Sequence, residues 1–182
     1  VVRVKEVALS VNVIDGGGAT KDACTITLDP AVILVSGSDS LLEDLNTLEL
    51  GTINLGEMTE DGTITFPIKL PDGISNETGV SEVKADVKFP NLETKKLTVT
   101  NIQPINVPEG LDVQMITKQL ELVLRGPKSA MKSVTEDKVT VTVDFSGEQA
   151  GTASVKAQIT VSVEGVGAVG VYNVTASVKA KE

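Results

Sequence analysis

Apolar residues alternate with polar ones along most of this 182-residue chain. Val7, Leu9, Val11 and Val13 stand at every second position, as do Ile64, Phe66, Ile68 and Leu70, and then Val83, Ala85, Val87 and Phe89. The later part keeps the habit in Leu97 and Val99, in Leu111 and Val113, and in Leu120, Leu122 and Leu124. It continues through Val139, Val141, Val143 and Phe145, then Val155, Ala157, Ile159, Val161 and Val163, and finally Val174, Ala176 and Val178. A period of two in runs rich in Val, Ile and Thr predicts strands with one face in a core. Ile26 and Leu28 predict a short strand, and Val32-Ile33-Leu34-Val35, apolar without a break, predicts one buried more fully. Asp15-Gly16-Gly17-Gly18, Asp72-Gly73, Pro108-Glu109-Gly110 and Ser146-Gly147 punctuate these runs as turns.

One stretch departs from the alternation. Leu41, Leu42, Leu45 and Leu48 share one face of a helix, and Ser40 with Glu43 has the spacing of a capping box at its start. A weaker version, Ser129-Ala130-Met131-Lys132-Ser133-Val134, recurs later. That recurrence is part of an internal repeat. Gly37 and Gly126 stand 89 positions apart, as do Gly62 and Gly151, and the same offset carries Ser40 to Ser129 and Leu42 to Met131. A period this long is a whole small domain rather than a solenoid unit. The expected organisation is mostly β, with two tandem β-rich domains over residues 1–89 and 90–182, each carrying one short helical turn that plugs its core. The join at Phe89-Pro90-Asn91 has no flexible Gly/Ser run, which predicts a restricted angle between the domains.

Composition sharpens this. Aromatic residues are 2% of the chain and Trp is absent, so the cores must be built from Val, Ile, Leu and Ala. The net charge of −9 disfavours nucleic-acid backbones and anionic membrane surfaces as direct partners. Cys24 is the lone cysteine, so no intrachain disulfide forms. The run Ala23-Cys24-Thr25-Ile26 predicts it inside a strand as a small buried hydrophobe. No apolar run is long enough to span a membrane. The chain opens on Val1-Val2 in mid-strand pattern without a methionine, which reads as a piece of something longer.

Candidate chemistry is thin. Gly165-Val166-Gly167-Ala168-Val169-Gly170 is a literal GxGxxG, but a dinucleotide site needs a helix after it. Here Tyr172-Asn173-Val174-Thr175-Ala176 continues in strand alternation, so the run reads as a hairpin loop. Gly16-Gly17-Gly18 reads as a flexible loop rather than an anion cradle. The acidic groups Glu43-Asp44 and Glu57-Met58-Thr59-Glu60-Asp61 lack the spacing of a calcium loop and read as solvated turns. Asn76-Glu77-Thr78 and Asn173-Val174-Thr175 fit the glycosylation pattern, which is frequent by chance. Histidine is absent, which removes histidine-based triads and ordinary zinc or iron sites. A glycosidase-type carboxylate pair would want aromatic platforms that this chain lacks. No catalytic, cofactor or metal residues are expected.

Several ordered elements resemble the YbbR-like domain. In the first copy these are Asp29-Pro30-Ala31-Val32-Ile33-Leu34-Val35-Ser36-Gly37, Leu41-Leu42 and Ile53-Asn54-Leu55. In the second they are Val107-Pro108-Glu109-Gly110-Leu111, Leu122-Val123-Leu124-Arg125-Gly126 and Val143-Asp144-Phe145-Ser146-Gly147-Glu148-Gln149-Ala150-Gly151. The second copy departs in having Lys118-Gln119 where the first has Asp29-Pro30. The resemblance covers essentially the whole chain as two repeats. It implies a non-catalytic, extracytoplasmic interaction module of a membrane-anchored regulator, whose partner is the membrane diadenylate cyclase of Gram-positive bacteria. The anchoring helix would lie outside these residues, and exposed strand edges leave room for a homo-oligomer. The alternative class is a cell-envelope ligand-binding or spacer module, which a pocket lined by convergent polar groups would favour.

Overall fold

The computed structural model describes residues 1–182 and is mostly β, with two one-turn helices. It divides into two compact units. Unit 1 comprises Val1–Ile14, Thr20–Leu55 and Glu60–Pro90, and unit 2 comprises Asp15–Ala19, Gly56–Thr59 and Asn91–Glu182.

Unit 1 is built from strands β1 (Val2–Ile14), β2 (Thr25–Asp29), β3 (Val32–Ser38), β4 (Thr47–Asn54), β5 (Gly62–Pro67), β6 (Ser75–Asn76) and β7 (Glu82–Lys88), with helix α1 (Asp39–Leu42) after β3. They form two sheets, in the orders β4-β1-β3-β6 and β2-β7-β5. β1 changes partner along its length. Residues 2–8 pair antiparallel with β3, and residues 8–14 pair parallel with β4, with a register shift between Ser10 and Asn12. Val7, Leu9, Ile33, Val35, Leu42 and Val83 make the centre of the core.

Unit 2 contains β8 (Leu92–Val99), β9 (Ile102–Ile105), β10 (Leu111–Met115), β11 (Leu120–Pro127), α2 (Lys128–Met131), β12 (Val139–Asp144), β13 (Gly151–Val161), β14 (Gly167–Val169) and β15 (Asn173–Ala180). Its ladders repeat those of unit 1. β8 runs antiparallel to β11 and β9 parallel to β12, so this pair does the work of the two halves of β1. The break between them falls at Thr100-Asn101, where the Thr100 N–H and hydroxyl both donate to Glu136 Oε1, at 3.2 and 3.1 Å. β14 sits on β11 as β6 sits on β3, and β15 lies between β10 and β13 as β7 lies between β2 and β5.

One ladder has no counterpart. β13 is eleven residues long, and its second half pairs with β12, joining five strands into one sheet. β5 stops at Pro67, and Pro71 follows in the stretch that would have continued it. Proline has no N–H to give a ladder, so the first copy cannot extend the strand as the second does. Ile68 and Leu70 leave the strand yet still pack on the core.

Three sequence expectations are corrected. The helix stops at Leu42, and Leu48 belongs to β4. Its N-cap is Ser38, without a side-chain cap bond, so Ser40 and Glu43 make no capping box. Leu42 carries the plug, at 1% exposed, whereas Leu41 is 44% exposed. β3 is not buried on both faces, since Val32 and Leu34 are exposed while Ile33 and Val35 are buried. Cys24 lies between the 3-10 turn Lys21–Ala23 and β2, half-buried, with its thiol 3.4 Å from the Lys21 carbonyl oxygen.

The contrast within α1 gives a stability test. Leu42→Ala should cost about 2–5 kcal/mol, the range for emptying a core leucine site. Leu41→Ala, one residue away, should cost under about 1 kcal/mol. Urea denaturation of the two variants measures both.

Candidate functional site

Polar and charged side chains are removed from water only where a partner receives them, and two residues meet that test. Ser36 and Arg125 are the buried polar residues of the chain. They occupy one position in the two copies, each just before the glycine of the repeat signature. In β11, Leu120, Leu122 and Leu124 face the core, and Arg125 lies on the other side of the strand. It is nevertheless 1% exposed.

Two short segments of unit 2 account for that burial. Gly16-Gly17-Gly18-Ala19 closes a tight turn in which Gly16 N–H donates to the Ala19 carbonyl at 2.9 Å and Ala19 N–H returns to Gly16 at 3.1 Å. Gly17 and Gly18 take φ of +57° and +74°, which favours glycine. This turn and residues 56–59 surround the guanidinium with backbone carbonyls. Arg125 Nε donates to Gly17 O at 2.9 Å, Nη2 to Gly16 O at 3.2 Å, and Nη1 to Met58 O. A planar fork of five donors suits three diverging acceptors in a way that an ammonium does not.

The two glycine motifs meet at this point. β14, paired to β11 with Arg125 opposite Gly167, presents its backbone directly to the turn. A Cβ on Gly18 would stand 1.8 Å from the Arg125 carbonyl oxygen and 2.9 Å from Gly167 N. One on Gly167 would stand 2.6 Å from Gly18 N. Gly170 N–H completes the contact by donating to Gly56 O at 2.7 Å. The GxGxxG run is therefore a turn followed by a short strand rather than a plain hairpin loop, and β15 follows it. Gly16-Gly17-Gly18 is packed, not a free loop. At the equivalent place in unit 1, Ser36 Oγ donates to Glu77 Oε1 at 2.5 Å.

A second device recurs in both copies. Lys5 Nζ donates to Leu42 O at 2.7 Å and to Asn46 Oδ1 at 2.9 Å, and Lys95 Nζ donates to Val134 O at 2.8 Å. In the first copy the strand lysine reaches the last carbonyl of α1, which also accepts the Leu45 N–H at 3.2 Å, and in the second it reaches the turn just after α2. The 89-residue offset hides this pair, because its spacing has drifted by one.

The remaining candidate groups turn out to serve local structure. Asp61 Oδ1 accepts the Phe89 N–H at 2.9 Å. Asn76 uses its amide within its own turn, donating to Val80 O at 2.7 Å and accepting from Thr78 N–H at 2.9 Å. Asn173 opens β15 and is exposed. No group of three or more Cys, Asp or Glu gathers in a metal-binding arrangement. No helix is long and apolar enough to cross a membrane. Asp144 ties two loops of unit 2 together: its carboxylate accepts Ser146 N–H at 2.8 Å and the Asn106 amide at 3.0 Å. The Ser146 backbone bond, then the Ser146 and Asn106 side chains, hold its carboxyl below the usual aspartate value. The Thr135 hydroxyl does the same for Asp137.

A carboxyl whose folded pKa is depressed stabilises the fold above the ordinary aspartate pKa of about 4, and that contribution is lost as pH falls through the folded value. Asp144 should titrate by NMR below a free aspartate, and Asp144→Asn should flatten the acid side of the stability curve. A glycine pair tests the backbone contact. Gly110 also has positive φ, at +81°, but a Cβ there meets nothing within 4 Å. Gly110→Ala should cost about 1–2 kcal/mol for the left-handed conformation alone. Gly18→Ala should cost at least about 2 kcal/mol more, because backbone must shift.

No family model matches the chain. In sequence it is 26% identical over 141 residues to the CdaA regulatory protein CdaR of Bacillus subtilis, covering 74% of this chain and 28% of that protein. The chain thus spans under a third of the length of this curated relative. Among solved structures, it resembles a YbbR-like domain from Listeria monocytogenes (20% identity, TM-score 0.43, 50% of this chain and 96% of that one). It also resembles a YbbR-like protein from Streptococcus pneumoniae (12% identity, TM-score 0.35, 99% and 96%). Both TM-scores are below 0.5, so the sequence relationship carries the comparison. By that relationship the chain is similar to CdaR over 74% of its length.

Proposed function

We propose that the chain is a non-catalytic interaction module of a regulator of a membrane diadenylate cyclase, the enzyme that makes cyclic di-AMP. One observation carries this reading: the 26% identity to CdaR, named as the regulatory protein of CdaA, over 141 residues. In this reading residues 1–89 and 90–182 are tandem YbbR-like repeats, placed on the outer side of the membrane by an anchor outside them. The architecture supports a binding role over a chemical one. The Arg125 guanidinium donates to backbone carbonyls, and one surface groove, lined by Asp29, Pro30, Val80, Ser81, Glu82 and Lys84, is open to solvent. A reaction centre needs convergent polar groups in a cleft that excludes water.

The test is to express the cyclase in a heterologous bacterium with this chain fused behind a single transmembrane helix, and to measure cellular cyclic di-AMP against the anchor alone. The expected result is a several-fold change, in line with ordinary coupling energies between partners. Equal nucleotide levels at equal expression would overturn the proposal and leave a spacer or envelope ligand-binding role.

A further inference from the structure

Unit 2 contains segments that come long before its main body in the chain. The backbone leaves unit 1 at Ile14 and re-enters it at Thr20, then leaves again at Leu55 and re-enters at Glu60. Both excursions end on Arg125. The first brings the Gly16 and Gly17 carbonyls and the second the Met58 carbonyl. Without them the arginine of β11 would lose these three carbonyls, and the backbone of Gly167 would face no Gly18. The counterpart position in unit 1 holds Ser36, which is satisfied within its own unit by Glu77.

We infer that Arg125 is a latch that holds residues 15–19 and 56–59 in unit 2. The asymmetry between the copies carries this. A serine–glutamate pair closes locally, whereas a buried guanidinium demands acceptors from elsewhere in the chain. Neither the short length of each excursion nor its composition would hold it in place: one is glycine-rich and the other contains Glu57, Met58 and Thr59. The latch therefore works from the side of β11, with Gly18 and Gly167 removing the side chains that would keep the backbones apart. Arg125 is a positioning residue, and the inference stands whether or not the proposed cyclase role does.

Residue-resolved hydrogen exchange on the intact chain tests it. The reporters are the amides of Gly16 and Ala19, which bond each other's carbonyls within the first excursion, and of Gly170, which donates to Gly56 O of the second. Arg125→Met removes the fork, Arg125→Lys keeps the charge without the fork, and Gly18→Ala blocks docking from the opposite side without touching the arginine. All three should speed exchange at the reporters by at least about tenfold, as expected for converting a packed segment into a locally opening one. Amides of β7 and β15 should keep their protection. Unchanged exchange at the three reporters would overturn the latch. So would a loss spread equally through β7 and β15, because it would mark general destabilisation.

Discussion

A guanidinium taken out of water must spend its N–H groups on acceptors, or the strand that carries it will not stay folded. Arg125 sits next to Leu124, so it cannot be moved to solvent without disturbing the central strand of the second core. The structure answers by bringing carbonyls to it. Those carbonyls belong to Gly16, Gly17 and Met58, and this requirement explains features that otherwise look unrelated. The positive φ at Gly17 and Gly18 turns two successive carbonyls toward one side chain. The missing Cβ atoms at Gly18 and Gly167 let two backbones approach closely enough for the fork to reach. The bond from Gly170 N–H to Gly56 O then seals the same surface.

Comparing the two copies separates what the fold requires from what each copy has added. The switch of partner along β1, repeated by β8 and β9, is common to both, as are the helical plug and a strand lysine that donates to a carbonyl at or just after it. Pro67 and Pro71 mark a real divergence, since they end a strand that in the second copy runs on to join β12. Ser36 and Arg125 mark another. One position, buried in both copies, is solved in the first by a short polar pair within the unit and in the second by a long charged side chain.

Much of this was legible in the sequence. Period-two alternation located nearly every strand and correctly put Val83, Ala85, Val87, Leu122, Leu124, Val141 and Val143 inside. It failed where two periods compete. Leu41, Leu42, Leu45 and Leu48 suit a helix by spacing, but pairing of Leu48 with Leu9 in the sheet outweighs a local propensity of this size. The apolar run from Val32 to Val35 predicts a strand buried more fully than the structure shows, because local pattern does not say what covers the second face. The glycine motifs were visible, but that they meet each other was not, because nothing in either run encodes its partner more than a hundred residues away. Arg125 left one signal: a charge directly after an apolar strand core, where the other copy has serine. The local roles of Asp61 and Asp144 left none, since a carboxylate that accepts backbone N–H groups looks in sequence like any surface acid.

For the proposed interaction role these points matter more than reactive groups would. Whatever surface meets a partner, its shape depends on segments 15–19 and 56–59 being held rather than free. The most direct test is a NOESY spectrum of the isotopically labelled chain. The account predicts cross-peaks between the Gly18 α-protons and the Gly167 amide, together with a slowly exchanging Arg125 Hε. Rapid exchange at Hε and no Gly18–Gly167 cross-peaks, in a chain whose strands are otherwise folded, would contradict it.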